Sequence, residues 1–328
     1  MRFAVLGAGA IGAYVGASLA RGGAEVILIA RGANLAAMRR DGVKVLSPRG
    51  DFEAKPEATD ELDAVAEADC VIIGLKAYSL PELLPRIAPL LVPGAILLPA
   101  QNGVPWWFFQ SFPGPLEGRV VEAVDPGGVI TNAIAPERVV GCVPYPATEL
   151  VAPGVVRHIE GTRFAIGEPD GSLSGRCREI AAVFEAGGLK CPVEEHIREQ
   201  LWLKLIGNVA FNPVTALTGA TLGELGSTPE MVAMLRALME EVTAVGVVLG
   251  IELPVSLDRR LEAGIAVGDH KTSMLQDLEA GKPLEIGCMT GAVVEIAGRL
   301  GVPVPHVETV HACVGTLDRL RQTAGQQA

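Results

Sequence analysis

Basic residues are in short supply. In 328 residues, 27 Lys and Arg stand against 38 Asp and Glu, a formal net charge of −11 at pH 7. That deficit, with an isoelectric point near 5.0, argues against the electropositive footprint by which proteins hold nucleic acid or an anionic membrane surface. A small anionic substrate stays allowed, because one pocket needs only a few local cations. Long apolar runs are missing as well. The nearest approach to a membrane span, Val71 to Leu98, is interrupted by Lys76, Glu82, Arg86 and several prolines. The six cysteines (Cys70, Cys142, Cys177, Cys191, Cys288 and Cys313) include no C-x-x-C pair, and no histidine stands at metal-ligand spacing. Neither a disulfide framework nor a metal site is expected. Internal repeats and low-complexity segments are absent. Arg2 and the apolar run to Ala20 loosely mimic a signal peptide, but glycine spacing explains that stretch better, so a soluble cytoplasmic protein is expected. What remains is a globular composition, 49% hydrophobic and 20% charged, in a chain long enough for two domains at about 150 residues each.

The N-terminus carries a specific pattern. Arg2 to Leu6 is a short β-type run, followed at once by Gly7-Ala8-Gly9-Ala10-Ile11-Gly12, a small-residue helix through Ala20, and a second apolar strand from Glu25 to Ile29. G-x-G-x-x-G in strand–turn–helix–strand context predicts a dinucleotide site. Gly7 permits the tight turn, Gly9 lets backbone N–H groups approach a pyrophosphate, and Gly12 lets the helix pack closely on the strand. The helix N-terminus then supplies partial positive charge. An NAD site usually places Asp or Glu about 20 residues beyond the glycines, on the ribose 2′-hydroxyl. Here the second strand ends Ile29-Ala30-Arg31, a guanidinium suited to a 2′-phosphate, so NADP(H) is favoured over NAD(H).

Further β-type runs at Val43–Leu46, Cys70–Leu75 and Ala95–Leu98 alternate with helical stretches such as Leu80–Leu91, which predicts a mostly parallel sheet covered by helices. Two strand ends carry polar groups where such sheets bind ligands: Lys76, facing a phosphate or a substrate carboxylate, and Asn102, toward the nicotinamide or the substrate. Either is equally explained by loop chemistry. The runs Val139–Val143, Val155–Ile159 and Phe164–Gly167 read as antiparallel strands extending the same sheet, with one helix near Leu173–Ala186. Helical patterning takes over after Glu194, placing a domain boundary near residue 195.

In the second half, Lys204, Asn208 and Asn212 recur every four residues within an otherwise apolar segment, Leu201 to Pro213. They share one helix face. Asparagine is a mediocre helix former, so two of them mid-helix call for a reason. The chain has seven lysines, and one set between Leu203 and Leu205 is a candidate proton donor if partly desolvated. The plain alternative is the wet face of an amphipathic helix. A second polar cluster runs from His270 through Ser273 to Asp277. Pro283 suits the first turn of a helix reaching Gly298, with Glu285 near its N-terminus.

Together, G-A-G-A-I-G at Gly7–Gly12, Q-N-G at Gln101–Gly103, the Lys204/Asn208/Asn212 row, and S-M-L-Q-D at Ser273–Asp277 with Glu285 downstream resemble the ketopantoate reductase (2-dehydropantoate 2-reductase) family in order and spacing, along essentially the whole chain. The resemblance implies an α/β protein. A Rossmann-type NADP-binding domain would span 1–195. An all-helical substrate and catalytic domain would span 196–328, like the C-terminal domain of 6-phosphogluconate dehydrogenase. It implies NADPH-dependent reduction of the ketone of 2-dehydropantoate to pantoate, for pantothenate and coenzyme A synthesis. Carried over by position, Lys204 is the general acid, and Glu285 is a carboxylate that organises cofactor and substrate. Asn102, Asn208, Asn212 and Ser273 meet the substrate. Gly7, Ala8, Gly9, Ala10, Ile11, Gly12, Arg31, Lys76 and Asn102 meet the cofactor. The implied chemistry is coherent, since an ammonium beside the ketone oxygen both stabilises the charge left by hydride attack and supplies the proton.

Three features depart from the family pattern. His270 and Leu222 each stand where the family has an asparagine, and Pro105-Trp106-Trp107-Phe108-Phe109 is a bulkier run than expected. They leave open a different 2-oxo acid on the same scaffold. A non-catalytic NADP(H) sensor and a 3-hydroxyacid dehydrogenase are further alternatives. The expected partner is a small 2-oxo acid, with no nucleic acid and no membrane. A homodimer is one assembly the sequence allows.

Overall fold

A computed structural model describes residues 1–327. The backbone separates into two compact units. The first comprises Met1–Gln101, Pro105–Val120 and Gly128–Ile197; the second comprises Asn102–Val104, Val121–Gly127 and the chain from Arg198 onward.

The strands of the first unit are β1 (Arg2–Leu6), β2 (Glu25–Ile29), β3 (Val43–Leu46), β4 (Phe52–Ala54), β5 (Glu57–Thr59), β6 (Cys70–Ile73), β7 (Ile96–Pro99), β8 (Gly141–Pro144), β9 (Ala147–Ala152), β10 (Val155–Glu160) and β11 (Phe164–Gly167). Its helices are α1 (Ala10–Arg21), α2 (Gly32–Asp41), α3 (Leu80–Ile87), α4 (Val129–Ala133) and α5 (Gly175–Ala186). Five strands make a parallel sheet in the order β5-β2-β1-β6-β7. Its central members are apolar along their length because both faces are covered, and Phe3, Ala4 and Val5 of β1 are fully buried. The strand order reverses between β1 and β6, the place where open parallel sheets bind ligands beyond their carboxyl ends.

The later strands do not extend that sheet as expected. β10 joins β3, β4 and β9 in a second sheet, ordered β4-β3-β10-β9. β8 and β11 pair as an antiparallel ribbon, β11 is bridged on its other side at Ile166 to Val193, and Val139, just ahead of β8, bridges Leu97 of β7. The physical reason lies in α1. Its residues Gly12 through Leu19 are all buried, so the helix needs cover on its outer side as well as against the parallel sheet, and the second sheet packs on it. Tyr14 stacks on His158 with ring centroids 4.7 Å apart. The Arg21 guanidinium lies 3.9 Å from the centre of the Phe52 ring.

The aromatic run also finds a structural explanation. Trp106, Trp107, Phe108 and Phe109 are all buried, and Phe108 meets Phe109 edge-on at 5.0 Å. Trp107 fits because Gly141 has no side chain; a Cβ there would stand 2.7 Å from the indole. This bulk is core packing of the first unit.

In the second unit the described residues form helices and no strands: α6 (Ile197–Thr218), α7 (Leu222–Gly226), α8 (Pro229–Val248), α9 (Leu257–Ile265), α10 (Ser273–Glu279), α11 (Ala292–Leu300) and α12 (Pro305–Gln327). Caps set several boundaries. Thr221 and Glu224 form a capping box at α7, and the Ser256 and Thr272 hydroxyls accept backbone N–H groups at the starts of α9 and α10. Trp202 is buried and donates from Nε1 to the Val242 carbonyl at 3.1 Å. The helix expected from Pro283 starts later. Pro283 to Ile286 is irregular, Gly287–Gly291 forms a π-turn, and α11 follows. The π-turn is closed by the Gly291 N–H donating to the Ile286 carbonyl at 3.0 Å.

All six cysteines are thiols, five buried and Cys313 exposed. Among the described residues no helix is long and apolar enough to cross a membrane, and no cluster of three or more metal-binding side chains occurs.

Candidate active site

In the first unit, the dinucleotide corner is assembled by glycines with different reasons for being glycine. Gly7 has φ +95°, and a Cβ would collide with the Leu75 side chain at 2.6 Å. A Cβ on Gly12 would stand 2.1 Å from the Gly7 carbonyl oxygen. Gly74, just past β6, packs into the same corner, its Cβ direction meeting Gly7 O at 2.7 Å. These three are demanded by packing. Gly9 is not: its φ is −75° and a Cβ there would meet nothing within 4 Å. Open space at the N-cap of α1 is what an approaching pyrophosphate requires. The first turn of α1 has no acidic residue of its own, so no carboxylate of that turn answers the positive end of its dipole. Ala8 is buried, while Ala10 and Ile11 are partly exposed on that first turn. The residues present therefore fit a dinucleotide.

The loop is fixed from β2 and α2. Gly7 donates its N–H to the Ile29 carbonyl at 3.0 Å, and Asn34 Nδ2 donates to the Ala8 carbonyl at 2.6 Å. Arg31, the N-cap residue of α2, is exposed, and its side chain has no partner among the described residues. Asp60, beyond β5, is paired with Arg39 at 2.9 Å. Lys76 is half-buried after β6, where its carbonyl accepts the Ser79 hydroxyl at 2.7 Å. Gln101 Nε2 donates to the Leu75 carbonyl at 2.8 Å, tying the ends of β6 and β7.

The second unit gathers the other candidates. Lys204, Asn208 and Asn212 lie on one face of α6, which continues through Pro213 to Thr218. Lys204 is half-buried. The Asn208 side-chain nitrogen is buried with no hydrogen-bond partner among the described residues. Asn212 is buried and donates only weakly, to the Met289 sulfur at 3.6 Å. One turn on, the Thr215 hydroxyl meets that of Thr272 at 2.6 Å, which places Ser273, the first residue of α10, beside this end of α6. Glu285 is buried immediately ahead of the π-turn.

Asn102 belongs to this second group. Val104 donates its N–H to the Cys288 carbonyl at 2.7 Å, and Gly103 sits so close that a Cβ would lie 2.4 Å from the same oxygen. The Asn102–Val104 segment is thus pinned to the turn that follows Glu285, and Met289 of that turn touches Asn212. His270 and Leu222, the two departures, are also joined: the Leu222 N–H donates to the His270 carbonyl at 3.1 Å. Sequence reasoning missed Asn34, Gly74 and the Thr215–Thr272 pair. Only the glycine next to the end of β6 carried any signal.

Two family models match the chain, Ketopantoate reductase PanE/ApbA over residues 3–106 and Ketopantoate reductase PanE/ApbA C terminal over residues 196–318. A 2-dehydropantoate 2-reductase of Mesorhizobium japonicum is 43% identical over 318 residues, covering 97% of this chain and 98% of that protein. The chain belongs to the ketopantoate reductase family. It is accordingly an oxidoreductase that uses a nicotinamide dinucleotide. Among solved structures, a ketopantoate reductase candidate from Ralstonia solanacearum superposes with a TM-score of 0.91 at 40% identity, covering 99% of this chain and 98% of that one. A PanE/ApbA family ketopantoate reductase from Ralstonia eutropha gives a TM-score of 0.84 at 31% identity, covering 98% and 100%. A D-mandelate dehydrogenase, at 20% identity and a TM-score of 0.84 over 98% of this chain and 100% of that one, shares the fold.

Proposed function

We propose that this protein reduces the ketone of 2-dehydropantoate to pantoate with NADPH, and that Lys204 is the general acid. The donor row on α6 carries the reading. Asn208 holds a buried N–H₂ with no acceptor among the described residues, one turn from a half-buried lysine. A buried donor without a partner costs about 1–3 kcal/mol, a cost explained by a ligand oxygen that accepts it. The 43% identical 2-dehydropantoate 2-reductase supports the choice of substrate.

Bound NADPH supplies the hydride. Gly7–Gly12 with the first turn of α1 would hold its pyrophosphate through backbone N–H groups, Arg31 would take the 2′-phosphate, and Lys76 would face a phosphate or the substrate carboxylate. Asn102, Asn208, Asn212 and Ser273 donate hydrogen bonds to substrate oxygens and fix the ketone. As the carbonyl carbon accepts hydride, its oxygen takes the proton from Lys204 Nζ, and the amine regains a proton from water. Glu285 orders cofactor and substrate.

The linked departures favour a second reading, reduction of a different 2-oxo acid. Leu222 and His270 place an apolar side chain and an imidazole where the family has two amides. NADPH oxidation, followed by absorbance with 2-dehydropantoate beside branched and aromatic 2-oxo acids, separates the two. Turnover of 2-dehydropantoate, lowered at least 100-fold in Lys204→Ala, is expected. Turnover of another acid alone would keep the mechanism and move the substrate. Unchanged turnover in Lys204→Ala would remove the lysine's role.

A further inference from the structure

Two residues read as substrate ligands sit on different helices, Asn212 within α6 and Ser273 at the first position of α10. Between them lie two buried hydroxyls, those of Thr215 and Thr272. Thr215 Oγ1 donates to the Asn212 carbonyl at 2.9 Å, which is ordinary back-bonding for a helical threonine. Its second contact is not local. Thr272 Oγ1 lies 2.6 Å away, on a residue 57 positions further along the chain. A hydroxyl has one proton to give. Thr215 gives its proton to Asn212, so in the second contact it accepts and Thr272 donates. Thr272 in turn accepts the Leu275 N–H at 3.3 Å as the N-cap of α10. One directed row of hydrogen bonds thus runs from the Leu275 N–H through Thr272 and Thr215 to the Asn212 carbonyl.

The row ends where α6 is weakened. Pro213 has no N–H, so the Val209 carbonyl lacks its usual helical donor in the turn that carries Asn212. The Asn212 side chain is itself lightly held, its amide donating to the Met289 sulfur at 3.6 Å. The hydroxyl pair ties this turn to a second helix, one residue from Ser273. Thr215 is fully buried and Thr272 is 6% exposed, so water is kept from replacing either partner. Each hydroxyl both donates and accepts, and bonds chained in that way strengthen one another where the dielectric is low.

We propose that Thr215 is a positioning residue for the reaction: through Thr272 it fixes the distance and rotation between Asn212 and Ser273, so that both meet the substrate together. This rests on the reading of those two residues as substrate ligands. In this role Thr215 touches neither substrate nor cofactor; it acts through the backbone of Asn212 and the start of α10. Misplacing a group by about 1 Å costs as much as 100-fold in catalysis, so a bond that holds two helices in register has a kinetic consequence. A threonine that merely filled core volume has none beyond stability.

The test compares Thr215→Val, which keeps the shape and removes the hydroxyl, with Thr215→Ser, which keeps the hydroxyl. NADPH oxidation is followed with 2-dehydropantoate and the 2-oxo acid panel, and urea unfolding is measured for each variant. Thr215→Val should raise KM for the reduced acid about 10- to 100-fold, with kcat changed less than about fivefold and NADPH affinity within about twofold. Thr215→Ser should return KM to within about threefold of the wild type. Ser273→Ala should matter less in Thr215→Val than in the wild type, because both act on one contact to the substrate. A Thr215→Val enzyme that loses stability but keeps KM within about threefold overturns the proposal and leaves a packing role. So does a Thr215→Ser enzyme as impaired as Thr215→Val, or full additivity with Ser273→Ala. Should Thr215→Val fail to fold, Thr272→Val cuts the pair while leaving Thr215 bonded to Asn212, and the same rise in KM is expected. Failure of the wider reading shows separately: Asn212→Ala and Ser273→Ala then leave KM unchanged, or the wild type neither reduces nor binds any 2-oxo acid, and this inference falls with it. A KM raised by Asn212→Ala and Ser273→Ala, yet not by Thr215→Val, overturns the inference alone.

Discussion

Gly9 and Gly12 are three residues apart in one motif, yet the structure gives them opposite consequences. A methyl group on Gly12 has to enter the space of the Gly7 carbonyl, so Gly12→Ala should lower stability by about 3 kcal/mol, read as a shift in the urea midpoint. Gly9→Ala meets open space and should change stability by no more than about 1 kcal/mol, while weakening NADPH binding at least tenfold in a fluorescence titration. Arg31 offers the companion experiment. It is exposed, and its side chain has no partner among the described residues, so Arg31→Ala should leave the unfolding curve and NADH affinity in place. NADPH affinity should fall by about 10- to 100-fold, as loss of a charge-assisted phosphate contact requires. At this scale the sequence was most readable where chemistry is local. The glycine spacing and the four-residue repeat of Lys204, Asn208 and Asn212 need only their own strand or helix. Asn34, Gly74 and the Thr215–Thr272 pair depend on which residues meet across the fold, and no spacing along the chain reports that.

Among the elements, the π-turn before α11 does the least expected thing. A helix predicted from Pro283 is delayed, so Glu285 stands on irregular backbone ahead of a widened turn instead of in a first helical turn. Thr290, fully buried in that turn, meets His311 Nδ1 of α12 at 2.9 Å. Burial, and secondarily the charge of Arg319, hold the His311 imidazole below its ordinary value of 6.5. Once pH falls below about 6.5 the unfolded chain takes up a proton that the folded chain does not, so stability falls from there down to the depressed folded value. Urea midpoints measured from pH 7.5 to 5.5 should show this slope, and His311→Gln should flatten it. Elsewhere, element boundaries were legible where apolar runs are buried on both faces, as in β1, β2, β6 and β7. The short strands β4, β5 and β9 were not, because three to six half-exposed residues acquire strand character only from a partner distant in sequence.

For the molecule as a whole, the sequence located most strands of the first unit but not which sheet each joins. The need to cover both sides of α1 decides that, and it is a property of packing, invisible in any single run. The thiols draw out one last consequence. Five of six cysteines are buried and Cys313 lies exposed on α12, with burial pushing the Cys177 thiol up to about 11. The native protein should therefore take one maleimide per chain and the unfolded protein six. Counting labels by intact-mass spectrometry after a brief pulse then reports how much of a sample is folded. Cys313 likewise becomes a ready single attachment point for a dye, leaving every candidate site residue untouched.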